Sequence, residues 1–589
     1  MDIVLTLIIL AIAVILFATE WIRMDLVSLM VLLALGFTGL VTVEEAFSGF
    51  SNPAVITVAA MFIISMSISN SGAVQHLGEK ILTVTGKSET RLIIAIMGIV
   101  ALFSAFINNI GAVAILLPVV VGMAQKAELP PSKLLMPLAF GSLLGGVCTL
   151  IGTPPNILMN ELLHQYSGQK LQMFDFAPVG LIVLAAGILY MALVGRRFLP
   201  IRRSGTLTET YQVKEFTAEV EIEPGSPLAG TTLAHAGFED FNLKVRAIMH
   251  GELKIPMPRG NHKLHEGDIL FLAGEPKNIL RIRKKKGLQL IPEKDNPLPP
   301  FADKDVAVVE AALTPTNYLV GKTLREVRFA DVHGLTVLAL WRSGEPMVRK
   351  VDHVPLKFGD VLLLQGSEEK IRHLGLEHGF LLMGGVKQIS YNPQKAPLAL
   401  GILISVVLVT ALGLFPIMLS ATLGALAMIL TGCTTPQEAY ENIDWSIIIL
   451  IAGTLPLGLA MEKSGAAKLI ADLIINKVGP MGPWFVLAAI FLITFCFTEV
   501  MSHAAAAVLI APIAFNTAQS LHVSPKPFFI AVAIAASSCF MTPISHQSNA
   551  LVMGPGGYKF FDYTKVGTPL NLLVWVLATL FIPLFFPFN

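Results

Sequence analysis

The sequence predicts an all-α membrane protein built from two inverted repeats, with a soluble α+β insert between them. Of its 589 residues, 54% are apolar and only 14% are charged, a balance typical of integral membrane proteins. The apolar segments form two groups of seven, one on each side of a charged central region. A net charge of +1 argues against a nucleic-acid partner, because such binding needs a clustered basic surface.

Seven apolar segments occupy the first 200 residues, and each is close to the roughly 20 residues that a membrane-spanning helix needs. They cover 3–18, 26–41, 54–70, 92–107, 110–124, 134–151 and 177–195. The first segment has no basic residues before it, so we expect a retained helix rather than a cleaved signal. Seven more follow the same rhythm at 396–415, 416–432, 445–461, 484–501, 504–518, 527–541 and 567–587.

The two groups also share local signatures, which predict an internal duplication of residues 1–200 and 395–589. Ser-Gly-Ala at residues 71–73 recurs at 464–466, and Pro118 corresponds to Pro512. If the fourth and fifth segments of each group form a re-entrant hairpin, each repeat crosses the membrane five times. An odd number of crossings makes the repeats inverted. Basic residues around the first hairpin predict that this side faces the cytoplasm.

Residues 205–390 are rich in charge and contain no segment long enough to span a membrane. Leu-Ala-Gly-Thr-Thr-Leu at 228–233 is echoed by Leu-Val-Gly-Lys-Thr-Leu at 319–324, and a Gly-Asp turn precedes an apolar strand in both copies. These patterns predict two small α+β modules, at 205–290 and 301–388, separated by the proline-rich linker 291–300.

The four cysteines show no Cys-x-x-Cys spacing and lie in or beside apolar segments: Cys148, Cys433, Cys496 and Cys539. We therefore expect neither a disulfide framework nor a zinc site from them. Packing as small apolar side chains is the expected role.

Polar residues interrupt the apolar sequence at two equivalent places in each half. Asn108-Asn109 and Gly152-Thr-Pro-Pro-Asn156 lie in the first half, and Ser502-His503 and the 542–549 stretch Thr-Pro-Ile-Ser-His-Gln-Ser-Asn lie in the second. An unsatisfied backbone group in hydrocarbon costs several kcal/mol, so broken helices at this depth line protein or a water-filled cavity. Two broken sites in two halves indicate a secondary transporter.

We expect these residues to converge on a cradle for a small anion. Prolines free carbonyls from the helical ladder, and freed carbonyls with amide oxygens suit a hard cation. Helix N-termini beyond each break suit an anionic substrate. The alternative is that the amides only hydrogen-bond helices together. The expected substrate-binding residues are Asn108, Asn109, Thr153, Pro154, Asn156, Ser502, His503, Ser545, Ser548 and Asn549.

Three stretches resemble the divalent anion/sodium symporter family, whose members carry sulfate and di- or tricarboxylates. They are Asn-Asn-Ile-Gly-Ala-Val-Ala-Ile-Leu-Leu-Pro at 108–118, Gly-Thr-Pro-Pro-Asn at 152–156, and Gly-Pro-Gly-Gly-Tyr-Lys-Phe-Phe-Asp-Tyr at 554–563. The resemblance implies a homodimer in which a mobile transport domain moves elevator-fashion against a fixed scaffold. The insert resembles tandem TrkA-C domains, which implies sensing of a cytoplasmic, nucleotide-type ligand.

Hairpin tips in this family read Ser-Asn-Thr, and sodium binds between each tip and the neighbouring helix break. Here the tips read Asn108-Asn109-Ile110 and Ser502-His503-Ala504, and His546 lies in the second break. The resemblance implies sodium at Asn109, Gly152 and Asn156. The coupling residues, for sodium or for a proton, would be Asn109, Gly152, His503, Thr542 and His546.

Imidazole titrates near neutral pH, so His503, with or without His546, is a candidate proton carrier. A neutral imidazole that bridges helices is the alternative. Glu499 is expected to pair with His503 or to face the scaffold, and the alternative is a carboxylate bonded to backbone at the hairpin turn.

The sequence thus predicts a plasma-membrane carrier, not an enzyme, that transports sulfate first and di- or tricarboxylates second. Coupling to sodium and coupling to protons both stay open, and sodium is the one cofactor considered. A non-transporting anion sensor and a cation/proton antiporter are the alternatives. An antiporter would need a buried carboxylate, a description that only Glu499 approaches.

Overall fold

The computed structural model separates the chain into two compact units. One unit combines Met1–Ile201 with Tyr391–Asn589, and the other is Arg202–Ser390. The structure describes residues 1–19, 21–71, 85–201, 216–238, 243–251, 253–256, 260–274, 287–290, 306–313, 317–342, 345–346, 351–357, 360–376, 379–383, 395–441, 443–543 and 545–589. Gly72-Ala73 of the first shared signature and the linker 291–300 lie outside these ranges.

The first half of the membrane unit is helical wherever it is described. Its helices are α1 Asp2–Thr19, α2 Met24–Phe37, α3 Val43–Phe47, α4 Pro53–Ser71, α5 Glu89–Ser104, α6 Asn109–Lys126, α7 Leu135–Gly146, α8 Pro154–Ser167, α9 Ala177–Tyr190 and α10 Arg196–Phe198. A short π-helical turn, Met191–Gly195, joins the last two. Proline lies in the first turn of α8 and α9, where its missing N–H costs nothing.

Strands in the insert are β1 Phe216–Ile222, β2 Lys244–His250, β3 Leu253–Pro256, β4 Ile269–Gly274, β5 Leu288–Leu290, β6 Val306–Leu313, β7 Thr336–Arg342, β8 Glu345–Pro346, β9 Val361–Ser367 and β10 Phe380–Met383. Two helices accompany the second set of strands, α11 Phe329–His333 and α12 Glu368–Leu376.

The two sheets of the insert share one antiparallel topology. Their strand orders are β3-β2-β4-β1-β5 and β8-β7-β9-β6-β10, so that each strand has a counterpart five places along the chain. A register shift falls between Val245 and Ala247 in the first sheet and between Val337 and Ala339 in the second. The apolar strands expected after the two Gly-Asp turns are present as β4 and β9, in sheets of matching design. The TrkA-C identity of these modules stays a prediction.

The second half of the membrane unit is again helical. Its helices are α13 Ala396–Ala411, α14 Ile417–Leu430, α15 Pro436–Glu441, α16 Trp445–Ser464, α17 Ala466–Val478, α18 Pro483–Thr498, α19 His503–Ser520, α20 Lys526–Ser537, α21 Gln547–Gly556 and α22 Phe560–Phe585. Helices α5, α6 and α7 contain 16, 18 and 12 residues, and so do α18, α19 and α20. A duplicated design predicts such equal lengths.

Within the described ranges, five helices are long and apolar enough to cross a membrane. They are Asp2–Thr19, Val43–Ser69, Ala177–Phe198, Trp445–Ser464 and Phe560–Phe585. Several shorter apolar helices accompany them, including α2, α13, α14, α18 and α20. The protein is therefore a multi-pass membrane protein, as the composition predicted.

Two helix boundaries differ from those predicted. The apolar segment 134–151 is not one helix, because α7 ends at Gly146 and a break follows before α8. The last helix begins at Phe560 rather than at 567, since polar residues such as Asp562 occupy its first turn. Apolar content alone therefore misplaced both ends.

Helices α5 and α7 pack at unusually short range through two glycines. A Cβ added to Gly141 would lie 2.9 Å from the Met97 Cα, and one added to Gly145 would lie 2.3 Å from the Ala101 Cα. The four-residue spacing of these glycines is the small-xxx-small pattern that lets helix backbones approach in membranes. The first hairpin is thereby held against the helix that leads into the first break.

We expect Gly145→Ala to lower the melting temperature of the purified protein, because the new methyl group must displace the Ala101 backbone. Overpacking of this kind costs about 1–3 kcal/mol. Gly98→Ala is the matched control: it lies within α5, and a Cβ there meets no atom within 4 Å. That control should be neutral or slightly stabilising, because alanine is the better helix former. Equal melting temperatures for the two variants would contradict the close packing.

Candidate functional site

The first hairpin turn places two asparagines at the start of α6. The side-chain oxygen of Asn108 accepts a hydrogen bond from the backbone N–H of Ile110 at 2.9 Å, which caps the helix. Asn109 is only 3% exposed, and its Oδ1 accepts a hydrogen bond from the Ser104 hydroxyl at 2.6 Å. The turn is therefore fixed by its own polar side chains.

The first break, between α7 and α8, lies directly beside this turn. A Cβ on Gly146 would lie 2.7 Å from Asn109 Oδ1 and 2.6 Å from Thr153 Cγ2, so only glycine lets the three residues meet. The Thr149 hydroxyl donates to the carbonyl of Ala105 in the turn. Asn109, Gly152, Thr153 and the first residue of α8, Pro154, thus belong to one cluster.

Asn156, in the first turn of α8, closes the first break with its side chain. Its Nδ2 donates to the carbonyl of Thr149 at 2.7 Å and, more weakly, to that of Gly146 at 3.4 Å. These carbonyls belong to the broken segment, which the helix ladder leaves unsatisfied. The side chain is fully buried, and its Oδ1 has no hydrogen-bond partner among the described residues.

Asn549 does the same in the second break, between α20 and α21. Its Nδ2 donates to the carbonyl of Thr542 at 3.2 Å and to that of Cys539 at 2.7 Å. In both breaks the acceptors lie seven and ten residues before the asparagine. Asn549 is also fully buried, and within the described part of the chain its Oδ1 has no partner either.

Two histidines lie together where the second hairpin turn meets the second break. Their ring centroids are 5.0 Å apart, with 31° between the ring planes. Ser502 precedes His503, the first residue of α19, and both are half-buried. The Nδ1 of His546 accepts a hydrogen bond from the backbone N–H of Ser548 at 3.0 Å. Because that nitrogen accepts, His546 is neutral in this arrangement and carries its proton on Nε2.

Two serines complete the second break. The Ser545 hydroxyl donates to the carbonyl of Thr542 at 2.9 Å, while its backbone N–H donates to the Thr542 hydroxyl at 3.1 Å. Ser548 is fully buried, and its hydroxyl has no partner among the residues described. Ser545 therefore shapes the turn, whereas Ser548 is unengaged.

Glu499 ties the second turn to the break and to the last helix. Its Oε1 accepts hydrogen bonds from the backbone N–H of Met541 at 3.0 Å and from Asn571 Nδ2 at 2.9 Å. Of the roles considered from the sequence, the observed hydrogen bond from the Met541 N–H matches a carboxylate bonded to backbone. Asn571 was not singled out from the sequence, because only the folded chain brings α22 against this turn.

The halves meet where the two breaks face each other. The hydroxyls of Thr153 and Ser537 lie 3.0 Å apart and hydrogen-bond across the halves. Helix α8, beyond the first break, packs against α19 of the second hairpin, and α21 packs against α6 of the first. In addition, the Tyr558 hydroxyl donates to the carbonyl of Ser132 at 2.6 Å and accepts from the N–H of Met136 at 2.8 Å.

The expected site residues thus fall into two clusters. The first contains Asn108, Asn109, Gly152, Thr153, Pro154 and Asn156, and the second contains Ser502, His503, Thr542, Ser545, His546, Ser548 and Asn549. Ser537 and Asn571 join them in the structure. No sequence pattern marked these two, since each acts through a contact with a distant segment.

Comparison with known proteins places the chain in a family. It matches the citrate-transporter family over residues 14–527. An uncharacterised transporter of Synechocystis is 35% identical, over 99% of this chain and 97% of its own length. A second one, from Escherichia coli, is 34% identical over 98% of both chains. Sodium/sulfate cotransporter 1 of Chlamydomonas reinhardtii is 22% identical over 96% of this chain and 88% of its own.

The matches to these three relatives cover 96–99% of the chain and so extend across both membrane halves and the insert. The chain therefore belongs to the citrate-transporter family, among the divalent anion/sodium symporter permeases.

Proposed function

We propose that the protein is a secondary active transporter of a divalent anion, coupled to sodium or protons. Sulfate is the first candidate substrate, and di- or tricarboxylates are the second. The observation that carries this proposal is a pair of buried amide oxygens, those of Asn156 and Asn549, which have no hydrogen-bond partner in the described part of the chain and lie at equivalent positions of two facing helix breaks. Relatives named for sodium/sulfate and citrate transport support the same substrate class.

The free-energy cost of leaving these two oxygens without a partner supports the proposal of sodium coupling. A buried acceptor without a partner costs about 1–3 kcal/mol, which a bound ion would offset. Asn156 and Asn549 differ from the other buried atoms without a described partner, such as Asn571 Oδ1, in lying at equivalent positions of the two breaks. In both amides the nitrogen donates to a backbone carbonyl, and this bond fixes the orientation of the oxygen. Hard cations prefer oxygen ligands of this kind. In the first cluster Asn109, Gly152 and Asn156 would surround the ion, and in the second Thr542 and Asn549 would do so.

The anion would bind between the clusters at helix N-termini. Helices α6, α8, α19 and α21 all begin at the turns and breaks, which places the positive ends of their dipoles there. Several of the first N–H groups are already engaged or missing, since Asn108 caps α6, His546 accepts from Ser548 in α21, and α8 begins with two prolines. Such N-termini attract anions without a basic side chain. Asn108, Thr153, Ser502 and Ser548 would add polar contacts. Tetrahedral sulfate and small carboxylates both suit this arrangement.

The transport cycle in this proposal is an elevator movement. The equal helix lengths in the two halves and the identical asparagine bonding support inverted repeats. Both hairpins, both breaks and the bound solute would move together against a scaffold formed in a homodimer. Such a carrier would lie in the plasma membrane, with the insert in the cytoplasm.

The insert is proposed to regulate transport through tandem TrkA-C-like modules. A nucleotide-type ligand that binds one transport state better than the other would shift the population of that state. The matching topology of the two sheets supports a tandem pair.

Uptake of radiolabelled sulfate and succinate into proteoliposomes tests the substrate and the coupling ion. We expect accumulation driven by an inward sodium or proton gradient, imposed separately, and strongest for sulfate. Accumulation of succinate alone would replace sulfate with a dicarboxylate. Binding without accumulation would instead support a non-transporting sensor.

Removing the fixed oxygens should weaken sodium activation. In Asn156→Ala and in Asn549→Ala we expect the sodium concentration for half-maximal uptake to rise about 10- to 100-fold, since a polar bond to a charged group is worth about 1.5–3 kcal/mol. Asn160→Ala is the control: it lies on the same helix as Asn156, and its oxygen already accepts the N–H of Leu171. Unchanged sodium activation in folded Asn156→Ala and Asn549→Ala would exclude these oxygens as ligands.

Proton coupling, if it operates, should depend on His503 rather than His546. A proton on His546 Nδ1 would break the bond from Ser548, and two charged rings 5.0 Å apart would repel each other. We therefore expect His503→Asn to flatten the dependence of uptake on pH while uptake still responds to sodium. His522→Asn is the control, because His522 is an exposed histidine beyond the same helix, at φ 55°, where asparagine is tolerated. A pH profile unaltered in His503→Asn would leave this residue only a bridging role.

A further inference from the structure

Each sheet of the insert carries one fully buried aspartate just before a central strand. Asp268 precedes β4, and Asp360 precedes β9. The Oδ2 of Asp268 accepts the backbone N–H of His265 at 2.8 Å, and that of Asp360 accepts the backbone N–H of Lys357 at 2.7 Å. The two carboxylates therefore close the same turn in the same way.

In the second sheet an arginine neutralises the buried carboxylate. Arg342 is the last residue of β7; its Nε lies 2.7 Å from Asp360 Oδ1, and one Nη lies 2.6 Å from Oδ2. These hydrogen bonds raise the pKa of the guanidinium above its usual range. A buried charge needs such a partner, since desolvation otherwise makes it costly.

The first sheet has imidazoles where the second has cations. Met249 pairs with Ile269 as Trp341 pairs with Val361, so His250 occupies the position of Arg342. His250 Nδ1 lies 2.6 Å from Asp268 Oδ1, and His265 Nδ1 lies 3.7 Å from Oδ2. At this position the first sheet therefore has an imidazole in place of the Arg342 guanidinium. The rings of His250 and His265 lie 5.1 Å apart.

We propose that His250, His265 and Asp268 bind one divalent first-row transition metal ion, with Zn²⁺ as the representative. One ligand atom from each of the three residues lies within 4.8 Å of the others. Metal–ligand bonds of about 2.0–2.2 Å allow at most about 4.4 Å between two ligands of one ion, so small side-chain rotations complete the site. Both histidine side chains are more than half exposed and can make them.

The donor set selects the class of ion. Imidazole nitrogen with one carboxylate suits zinc and its neighbours rather than sodium or calcium, which take oxygen ligands. Three protein ligands leave a coordination position for water or another group. The ion would supply in the first module the positive charge that Arg342 supplies in the second. This inference concerns the insert alone and does not depend on the transport proposal.

Isothermal titration of the full-length protein with Zn²⁺, after chelator treatment, tests the site. We expect one site with the affinity of a three-ligand centre, lost in His250→Arg, which recreates the arginine–aspartate pair of the second module. In His265→Ala we expect binding to weaken by more than about 100-fold, because loss of an outer-sphere partner already costs 10–100-fold. His235→Ala is the control, an exposed histidine of the same module, and should bind Zn²⁺ as the parent does.

Two results would overturn the proposal: no Zn²⁺ binding by the parent protein, or the same binding by His250→Arg and His265→Ala. If His250→Arg lowered the melting temperature without metal, His265→Ala would decide, because that exposed ring can be removed with little effect on packing.

Discussion

The membrane unit depends on one constraint: carbonyl groups released where a helix breaks inside a membrane must still find donors. Asn156 and Asn549 meet it in the same manner, each spanning its break with one amide nitrogen. Because the nitrogen is committed to backbone, the amide plane of each side chain is fixed, and each oxygen lies buried without a partner among the described residues. The structural need for a donor is thus met by one side chain in each break.

Close packing extends this constraint to the surrounding helices. Glycine at 141, 145 and 146 lets the first hairpin approach the helix leading into the break. In the second half, Gly567 lets the last helix approach the break itself, because a Cβ there would lie 2.0 Å from the Phe540 carbonyl oxygen. Glu499 and Asn571 hold the second turn against the last helix. Each cluster is consequently supported by backbone contacts, so that its polar groups keep their directions without a basic residue to anchor them.

Sequence patterns were sufficient for much of this arrangement. Interrupted apolar segments identified both turns and both breaks, and the motif at 152–156 identified the family. Helix ends were harder to predict. Apolar content continues past Gly146, where α7 ends, and polar residues occupy the first turn of the last helix, which begins at Phe560. Ser537 and Asn571 could not be found, because their roles exist only across elements distant in sequence. The cluster around Asp268 escaped for the same reason, since strand pairing brings His250 to Asp268, although His265 lies only three residues before it.

The hydroxyl pair of Thr153 and Ser537 has a further consequence. Either oxygen can be the donor, so the bond has two possible orientations. A hydroxyl carries a single hydrogen, so whichever group donates in this bond has none left to offer, while its partner keeps its own hydrogen for another acceptor. The choice of donor on one side therefore decides which half of the membrane unit retains a hydroxyl donor.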